Sequence, residues 1–268
     1  MTTTPASSPP HEPSAPPHAR RATSFDAAAA QYAANRPSYP PALFDTVEEL
    51  AGRPLSGARV VDVGAGTGIA TALLHARGAD VLAVEPGAGM AAEFRRGLAH
   101  IPIVRGDGNA LPVADAHADF LTYAQAWHWT DTARSVPEAL RVLRPGGALA
   151  LWWNTDAIDV PWIAEAADRT GRFTGVDIPA EKRRAADRTD LADPSGRLGF
   201  TRREVRWSRR VPVDTHLANI GSHSAFLVAP EGRRTAFLEE ERGHLLKVFP
   251  DGIVEETYDV LVLVATRP

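Results

Sequence analysis

The chain of 268 residues contains no cysteine, so it can form neither a disulfide bond nor a thiolate metal site. It also lacks any apolar run that approaches the roughly 20 residues needed to span a membrane. Its first residues, Met1 to Pro5, lack the basic and apolar regions of a signal peptide. We therefore expect a cytoplasmic protein that has no membrane partner.

Positive charge is not in excess either. The 29 Lys and Arg residues are outnumbered by 33 Asp and Glu residues, which leaves a formal net charge of −4. Because nucleic-acid-binding domains normally present a basic surface, this balance argues against a nucleic-acid partner. The nine histidines do not show the spacing of zinc ligands, and we expect no metal site.

The most informative stretch that is present runs from Val60 to Gly68. Its apolar residues predict a buried strand, and glycines at positions 64, 66 and 68 predict a tight turn into a helix that begins near Thr67. α/β proteins hold nucleotide-like ligands at such a turn. The dinucleotide fingerprint places one more residue before its third glycine, so the spacing differs from that of nicotinamide-binding enzymes.

A second strand, Asp80 to Val84, is followed directly by Glu85, which lies 23 residues after Asp62. A carboxylate at this strand end can accept hydrogen bonds from both hydroxyls of a ribose. The alternative is that Glu85 caps a helix beginning near Gly87. Together with the glycine turn, the pattern favours ribose binding.

The rest of the chain continues the alternation of strands and helices, which predicts a parallel sheet with helices on both faces. Predicted strands are 59–63, 80–84, 101–105, 119–123, 148–154, 202–210 and 256–266. Predicted helices are 24–34, 40–51, 67–77, 87–98, 135–143, 162–173, 215–228 and 230–249. Residues 1–20 are rich in Pro, Ser, Thr and Ala and are expected to be a disordered tail.

Three further segments resemble one family. They are Arg-Gly-Asp-Gly-Asn-Ala-Leu-Pro at 105–112, Ala-Gln-Ala-Trp-His-Trp at 124–129, and a Pro-Gly-Gly turn within 138–149. With the glycine turn, they make the chain similar to the class I S-adenosylmethionine-dependent methyltransferases over about residues 25–155. The resemblance implies an α/β fold: a Rossmann-like, doubly wound, seven-stranded and mostly parallel sheet whose last strand is antiparallel.

The segment 31–40 looks like the N-terminal signature of small-molecule members related to trans-aconitate methyltransferases. In these relatives the N-terminal helices close over the cofactor. The resemblance therefore implies one domain over 21–268, with a helical lid at 21–52 and a cofactor-binding core at 58–155. Insertions at 156–200 and 211–250 are expected to cover the acceptor.

The resemblance also implies a cofactor, S-adenosyl-L-methionine, and the residues that bind it. Asp62 is expected near its amino group, directly or through water, and Pro86 and Met90 are expected to flank its adenine. Asp107 would read the adenine edge, although it is also a good turn residue. Arg36 would meet a carboxylate of the cofactor or of an acidic substrate, or else face solvent. The full predicted set is Tyr32, Arg36, Asp62, Gly64, Ala65, Gly66, Gly68, Glu85, Pro86, Met90, Asp107, Gly108, Asn109 and Gln125.

His128 is the candidate for acid–base catalysis, because it follows a strand end and lies between two tryptophans. The alternative is a histidine that only shapes the pocket. A hydroxyl acceptor would need such a base, whereas a carboxylate would already be ionised. Residues expected to face the acceptor are Tyr39, Trp127, Trp129, Trp153 and His223.

We therefore predict a methyltransferase that acts on a small-molecule acceptor, with an oxygen atom favoured and nitrogen or carbon left open. Three alternatives are a nicotinamide-dependent dehydrogenase, a binding module that has the same fold but no turnover, and a nucleic-acid methyltransferase, against which the charge balance counts. The glycine spacing and the segment 105–112 count against the dehydrogenase. The sequence does not indicate whether the protein is a monomer or a dimer.

Overall fold

The computed structural model describes residues 29–175 and 192–268, except for the side chains of 30–32, 224 and 225. The tail predicted for 1–20, the helix start predicted at Ser24 and residues 176–191 of the insertion predicted at 156–200 lie outside these residues. None of the helices within the two described ranges is long and apolar enough to cross a membrane.

A single twisted sheet organises the described part of the chain. Its strands are β1 Arg59–Val63, β2 Asp80–Glu85, β3 Ile103–Arg105, β4 Ala118–Ala124, β5 Leu143–Asp156, β6 Thr201–Pro212 and β7 Ile253–Thr266. They lie in the order β3-β2-β1-β4-β5-β7-β6. Strands β1 to β5 pair in parallel, whereas β7 is antiparallel to both β5 and β6. The predicted seven-stranded sheet with an antiparallel last strand is confirmed, and β7 lies one position in from the edge strand β6.

The strand order reverses between β1 and β4. From β1 the chain builds outward through β2 to β3, and then it returns to the other side of β1 as β4. In open parallel sheets the crevice above the carboxyl ends of the strands at such a reversal is where ligands bind. The topology therefore points to the ends of β1, β2 and β4.

Helices cover both faces of the sheet. In the described residues they are α1 Ala29–Asn35, α2 Pro41–Ala51, α3 Ile69–Ala76, α4 Ala88–Gly97, α5 Thr132–Val142, α6 Pro161–Thr174, α7 Val213–Gly221, α8 Ser224–Leu227 and α9 Glu231–Val248. A 3₁₀ turn at Trp127–Trp129 follows β4.

Several predicted boundaries are wrong, and three of them have a clear local cause. Helix α3 begins at Ile69 because Gly68 precedes it in a left-handed conformation, with φ 94°. Strand β5 starts at Leu143, since Leu143 pairs with Ala118 across a register shift that absorbs the Pro-Gly-Gly turn. The helix predicted at 215–228 is two helices, because α7 ends at Gly221 and α8 starts at Ser224.

Packing of α2 fixes the N-terminal segment over the sheet. The rings of Tyr39 and Phe44 meet the buried ring of Trp152 edge-on, with centroids 6.0 and 6.1 Å away. Trp152 lies on β5, so this contact holds the N-terminal segment against that strand. Arg36, which comes shortly before Tyr39 in the chain, is thereby brought to the carboxyl ends of the strands. Edge-to-face aromatic pairs of this kind add about 0.5–1.5 kcal/mol beyond area burial.

Candidate active site

A cavity of about 410 Å³ opens at the carboxyl ends of β1, β2 and β4. Its volume lies in the range of small-molecule sites in proteins. Most residues that the sequence singled out line it together: Arg36, Gly64, Gly66, Glu85, Pro86, Met90, Asp107, Gly108, Gln125, His128, Trp129 and His223.

The glycine turn brings the ends of β1 and β4 into contact. Gly64 has φ +67°, and a Cβ built on it would lie 2.5 Å from Cβ of Ala126. Only glycine tolerates both the left-handed conformation and this approach. Gly68 instead faces the side chains of Leu98 and Phe94, so it serves helix packing and does not line the cavity.

Glu85 joins the glycine turn to helix α4. Its Oε2 accepts the backbone N–H of Gly66 at 2.8 Å, and its Oε1 accepts the N–H of Gly87 at 2.7 Å. The helix-capping alternative is thus part of what this residue does. Each carboxylate oxygen can accept more than one hydrogen bond, and Glu85 lines the cavity, so the same carboxylate remains suited to ribose hydroxyls.

Asp107 combines a turn with a place in the cavity wall. Its Oδ1 accepts the backbone N–H of Asn109 at 3.0 Å and the side-chain amide of Asn109 at 2.9 Å. Asn109 does not line the cavity, because its own Oδ1 accepts the N–H of Asp131 at 2.7 Å. No described residue donates a hydrogen bond to Oδ2 of Asp107, which leaves that oxygen for an amine donor. Asn109 therefore orders Asp107.

Asp62 lies beneath the cavity and is 0 % exposed. Its carboxylate accepts hydrogen bonds from the hydroxyls of Thr71, at 2.6 Å, and Thr122, at 2.8 Å. Burial raises the pKa of Asp62 to about 6 although both hydrogen bonds act to lower it. This placement favours the indirect version of its predicted role, in which it acts through water.

Gln125 is strained. It adopts φ +59°, a left-handed conformation that costs a non-glycine residue on the order of 1 kcal/mol. Its N–H bonds to the carbonyl of Trp152 at 2.9 Å, and its side-chain amide bonds to the carbonyl of Asn154 at 3.4 Å. These contacts with β5 hold the strained turn in the cavity wall. Backbone outliers of this kind concentrate at functional sites in proteins.

Two of the predicted acceptor-facing tryptophans lie behind the wall, which corrects that expectation. Trp127 is buried, and its indole N–H bonds to the carbonyl of Ala192 at 3.0 Å. Trp153 is 4 % exposed, and its indole N–H donates to Nδ1 of His128 at 3.1 Å. His128 itself is exposed and lines the cavity, as Trp129 does.

Arg36 lies where the main cavity meets a smaller one of about 50 Å³. This smaller cavity is also lined by Tyr39 and by Ala65 of the glycine turn. The Arg36 guanidinium donates to the carbonyl of Ser222 at 3.3 Å, next to His223 in the main cavity wall. Tyr32 lies in α1, but its side chain is outside the described residues.

A buried polar cluster, which the sequence did not reveal, ties this corner to the sheet. Glu256 on β7 accepts Nε of Arg209 at 2.5 Å, the hydroxyl of Tyr258 at 2.8 Å and Nδ1 of His216 at 2.7 Å. Burial favours a raised pKa for Glu256, but the bonds from His216 and Arg209 hold its pKa below the ordinary value. Arg209 also donates to the carbonyls of Asn35, at 3.0 Å, and Arg36, at 3.4 Å, so the cluster anchors the end of α1.

Other cavity residues were not in the predicted set, because most of them are small or apolar and the polar ones among them do not form a recognisable motif. They share positions at or just after the ends of β1, β2, β4 and β5, or in the turns around them, and that position was the signal available. They are Val63, Gly87, Tyr123, Ala124, Ala126, Thr130 and Asn154.

Comparison with known proteins agrees with this geometry. A family profile described as "Methyltransferase domain" matches residues 61–151. An uncharacterized methyltransferase of Mycobacterium tuberculosis is 36% identical over 230 residues, which cover 85% of this chain and 87% of that protein. A demethylmenaquinone methyltransferase of Beutenbergia cavernae is 38% identical over 107 residues, 40% of this chain and 44% of that one. A solved structure described as "a Putative Type II Methyltransferase from Anaeromyxobacter dehalogenans" superposes with TM-score 0.59 at 26% identity, over 87% of this chain and 96% of that one.

Proposed function

The chain belongs to the class I S-adenosylmethionine-dependent methyltransferases, and from that premise we propose that it methylates an oxygen of a small-molecule acceptor, as a carboxylate or a hydroxyl. Membership of this family also decides against the nicotinamide-dependent dehydrogenase. The acceptor assignment depends on how charge is distributed around the cavity.

The cofactor half of the cavity is formed by the residues after β1, β2 and β3. In this proposal Glu85 binds the ribose, Pro86 and Met90 flank the faces of the adenine, and Asp107 accepts from its amine; all four residues line the cavity, which supports these roles. The crevice at Gly64 and the adjoining small cavity at Arg36 suit the methionine part, whose carboxylate would pair with the guanidinium. When bound, S-adenosylmethionine supplies a methyl group on a positively charged sulfur.

The other half of the cavity, above β4 and β5, carries no carboxylate among its described residues. Its polar side chains include those of Gln125, His128, Asn154 and His223, with Arg36 beside them. Both cavity carboxylates, Glu85 and Asp107, lie on the far side, after β2 and β3. This asymmetry is the observation that carries the proposal, because hydrogen-bond donors without competing anions suit an electron-rich oxygen acceptor.

The protein contributes to such a transfer mainly by alignment. Holding acceptor and donor in line can provide an effective molarity of about 10⁵ M or more, which is several kcal/mol of the barrier. Trp129 in the cavity wall gives this half an apolar surface beside its few donors. Water exclusion there would strengthen each polar contact to the acceptor.

A second candidate acceptor is a quinone. The relative named for demethylmenaquinone favours it, and the ring of Trp129 in the cavity wall offers a face for an aromatic acceptor. That match spans less than half of either chain, so it bears mainly on the cofactor half of the site.

The test uses S-adenosylmethionine labelled in its methyl group and a panel of small carboxylic acids, phenols, amines and quinones. Methyl esters release labelled methanol in mild alkali, whereas aryl ethers, methylamines and methylated carbons retain the label. We expect label transfer to an acid or a phenol. Transfer only to amines or to carbon would refute the oxygen acceptor and leave the family assignment intact.

A further inference from the structure

The hydrogen bond between Trp153 and His128 determines more than the position of the histidine. Trp153 lies on β5, and its ring comes from behind the cavity wall to reach His128. His128 lies in the 3₁₀ turn after β4, which is closed by a hydrogen bond from the N–H of Trp129 to the carbonyl of Ala126 at 3.0 Å. The donor is buried and the acceptor ring lines the cavity.

The chemistry of the two rings fixes the direction of this bond. An indole N–H is only a donor, so Nδ1 of His128 must present its lone pair to Trp153. A neutral imidazole carries one N–H, and the other nitrogen accepts. The neutral form of His128 therefore has its proton on Nε2, and its basic nitrogen is already engaged.

This arrangement makes His128 a poor general base. A proton taken up by the ring would go to Nδ1, where it would face the indole N–H and displace it. The buried indole N–H would then lose its hydrogen bond to His128, which is unfavourable. Donation from Nε2 to an acceptor oxygen meets no such penalty.

We propose that Trp153 is a positioning residue that holds His128 as an Nε2–H hydrogen-bond donor to the acceptor, and that the acceptor is therefore a carboxylate. This rests on the proposed function, in which the acceptor atom is an oxygen. One carboxylate oxygen forms the new O–CH₃ bond, the S–CH₃ bond breaks, and its electron pair stays on sulfur. A methyl ester and S-adenosylhomocysteine result, and no proton has to move. A hydroxyl acceptor would have to lose a proton to a base that His128 does not supply.

The tautomer can be read directly by NMR in protein labelled with ¹⁵N at histidine, at pH 7.5 and without any acceptor. His128 is assigned by its absence from the spectrum of His128→Gln. We expect the wild type to show a protonated Nε2 and an unprotonated Nδ1. In Trp153→Phe, which keeps an aromatic ring but loses the N–H, the two ¹⁵N shifts should move toward each other as the tautomers mix.

A matched control is Trp207→Phe, which removes an indole N–H that bonds to Oδ1 of Asn154 at 3.0 Å. This variant should leave the His128 signals unchanged. A wild-type spectrum with the proton on Nδ1, or with both nitrogens protonated, would overturn the proposal even if Trp153→Phe does not fold. So would a Trp153→Phe spectrum identical to that of the wild type.

Kinetics separate this proposal from the function on which it rests. With an acid that yields a methyl ester in the labelled panel, His128→Gln should keep kcat within about tenfold, because its amide can replace the Nε2–H donor. His128→Leu should lose more, since it has no donor. Equal losses in both variants, or a wild-type rate that falls on acidification as a histidine titrates, would indicate a base and refute the donor role. If NMR shows the Nε2–H tautomer but the methylated product is stable in alkali, the donor role of His128 stands and the carboxylate acceptor is refuted.

Discussion

Replacing Asp62 with asparagine should stabilise the protein at neutral pH. The carboxylate is fully buried between Thr71 and Thr122, and burial raises its pKa from 3.8 to about 6. The folded protein binds the proton of Asp62 more tightly than the unfolded chain does. The contribution of this proton to the free energy of unfolding is therefore fully present below pH 3.8. It is lost as the pH rises through about 6.

The size of the effect follows from the same two values. Each unit of pKa difference is worth about 1.4 kcal/mol, so ionised Asp62 lowers the free energy of unfolding by up to roughly 3 kcal/mol above pH 6. An asparagine at this position stays neutral at every pH. Its carbonyl can accept from one threonine hydroxyl while its amide donates to the other, so both contacts survive.

The assay is urea unfolding of the wild type and Asp62→Asn at pH 4, 5, 6 and 7.5. The variant should gain up to roughly 3 kcal/mol at pH 7.5, and the gain should shrink towards pH 4. The control is Asp80→Asn, since Asp80 is exposed at the start of β2 and should change the free energy of unfolding by less than about 0.5 kcal/mol at each pH. A variant less stable than the wild type at pH 7.5, or a difference independent of pH, would refute the reasoning.

Three further substitutions test the walls of the site. Gly64→Ala should lower the free energy of unfolding by about 1–3 kcal/mol, because the added Cβ would lie 2.5 Å from Ala126 and the residue has φ +67°. An unchanged midpoint of urea unfolding would contradict this. Arg209→Ala should weaken S-adenosylhomocysteine binding in calorimetry, because it removes the bonds that anchor α1. Its control is Arg206→Ala on the same strand, which removes ion pairs with Asp159 and Asp259 instead, and equal effects would disprove the anchor. Gln125→Gly should raise the melting temperature slightly, since glycine adopts φ +59° without strain, and it should lower the methylation rate. A lower melting temperature would show that the turn is not strained.

The local parts of the site could be predicted from sequence. The turn at Gly64 and Gly66 and the carboxylate at Glu85 need only their immediate neighbours and a strand end, and all three line the cavity. The parallel sheet with helices on both faces followed from the alternation of strands with helices, and the seven strands with an antiparallel last strand followed from the family resemblance. The end of β5 did not, because it depends on pairing with β7, for example Asp156 with Tyr258.

Contacts between distant strands could not be predicted. Asp62 is buried and does not line the cavity, and Thr122, 60 residues later on β4, supplies one of its two hydroxyl partners. The orientation of Trp153 toward His128 depends on the register of β5 beside β4, which is why the sequence placed this tryptophan wrongly as an acceptor-facing residue. The cluster around Glu256 brings together β6, β7 and α7, whose mixed polar sequence shows no pattern for it.

The central claim is that the cavity above β1, β2 and β4 holds the methyl donor, with Glu85 on its ribose. Calorimetric titration with S-adenosylhomocysteine tests it most directly. The account predicts 1:1 binding by the wild type and a loss of about 2 kcal/mol, roughly 30-fold, in Glu85→Gln, because one carboxylate oxygen becomes a donor. Glu93→Gln, which alters a carboxylate paired with Arg96 on α4, should bind as the wild type does. No binding by the wild type, or equal affinity in Glu85→Gln, would contradict the account.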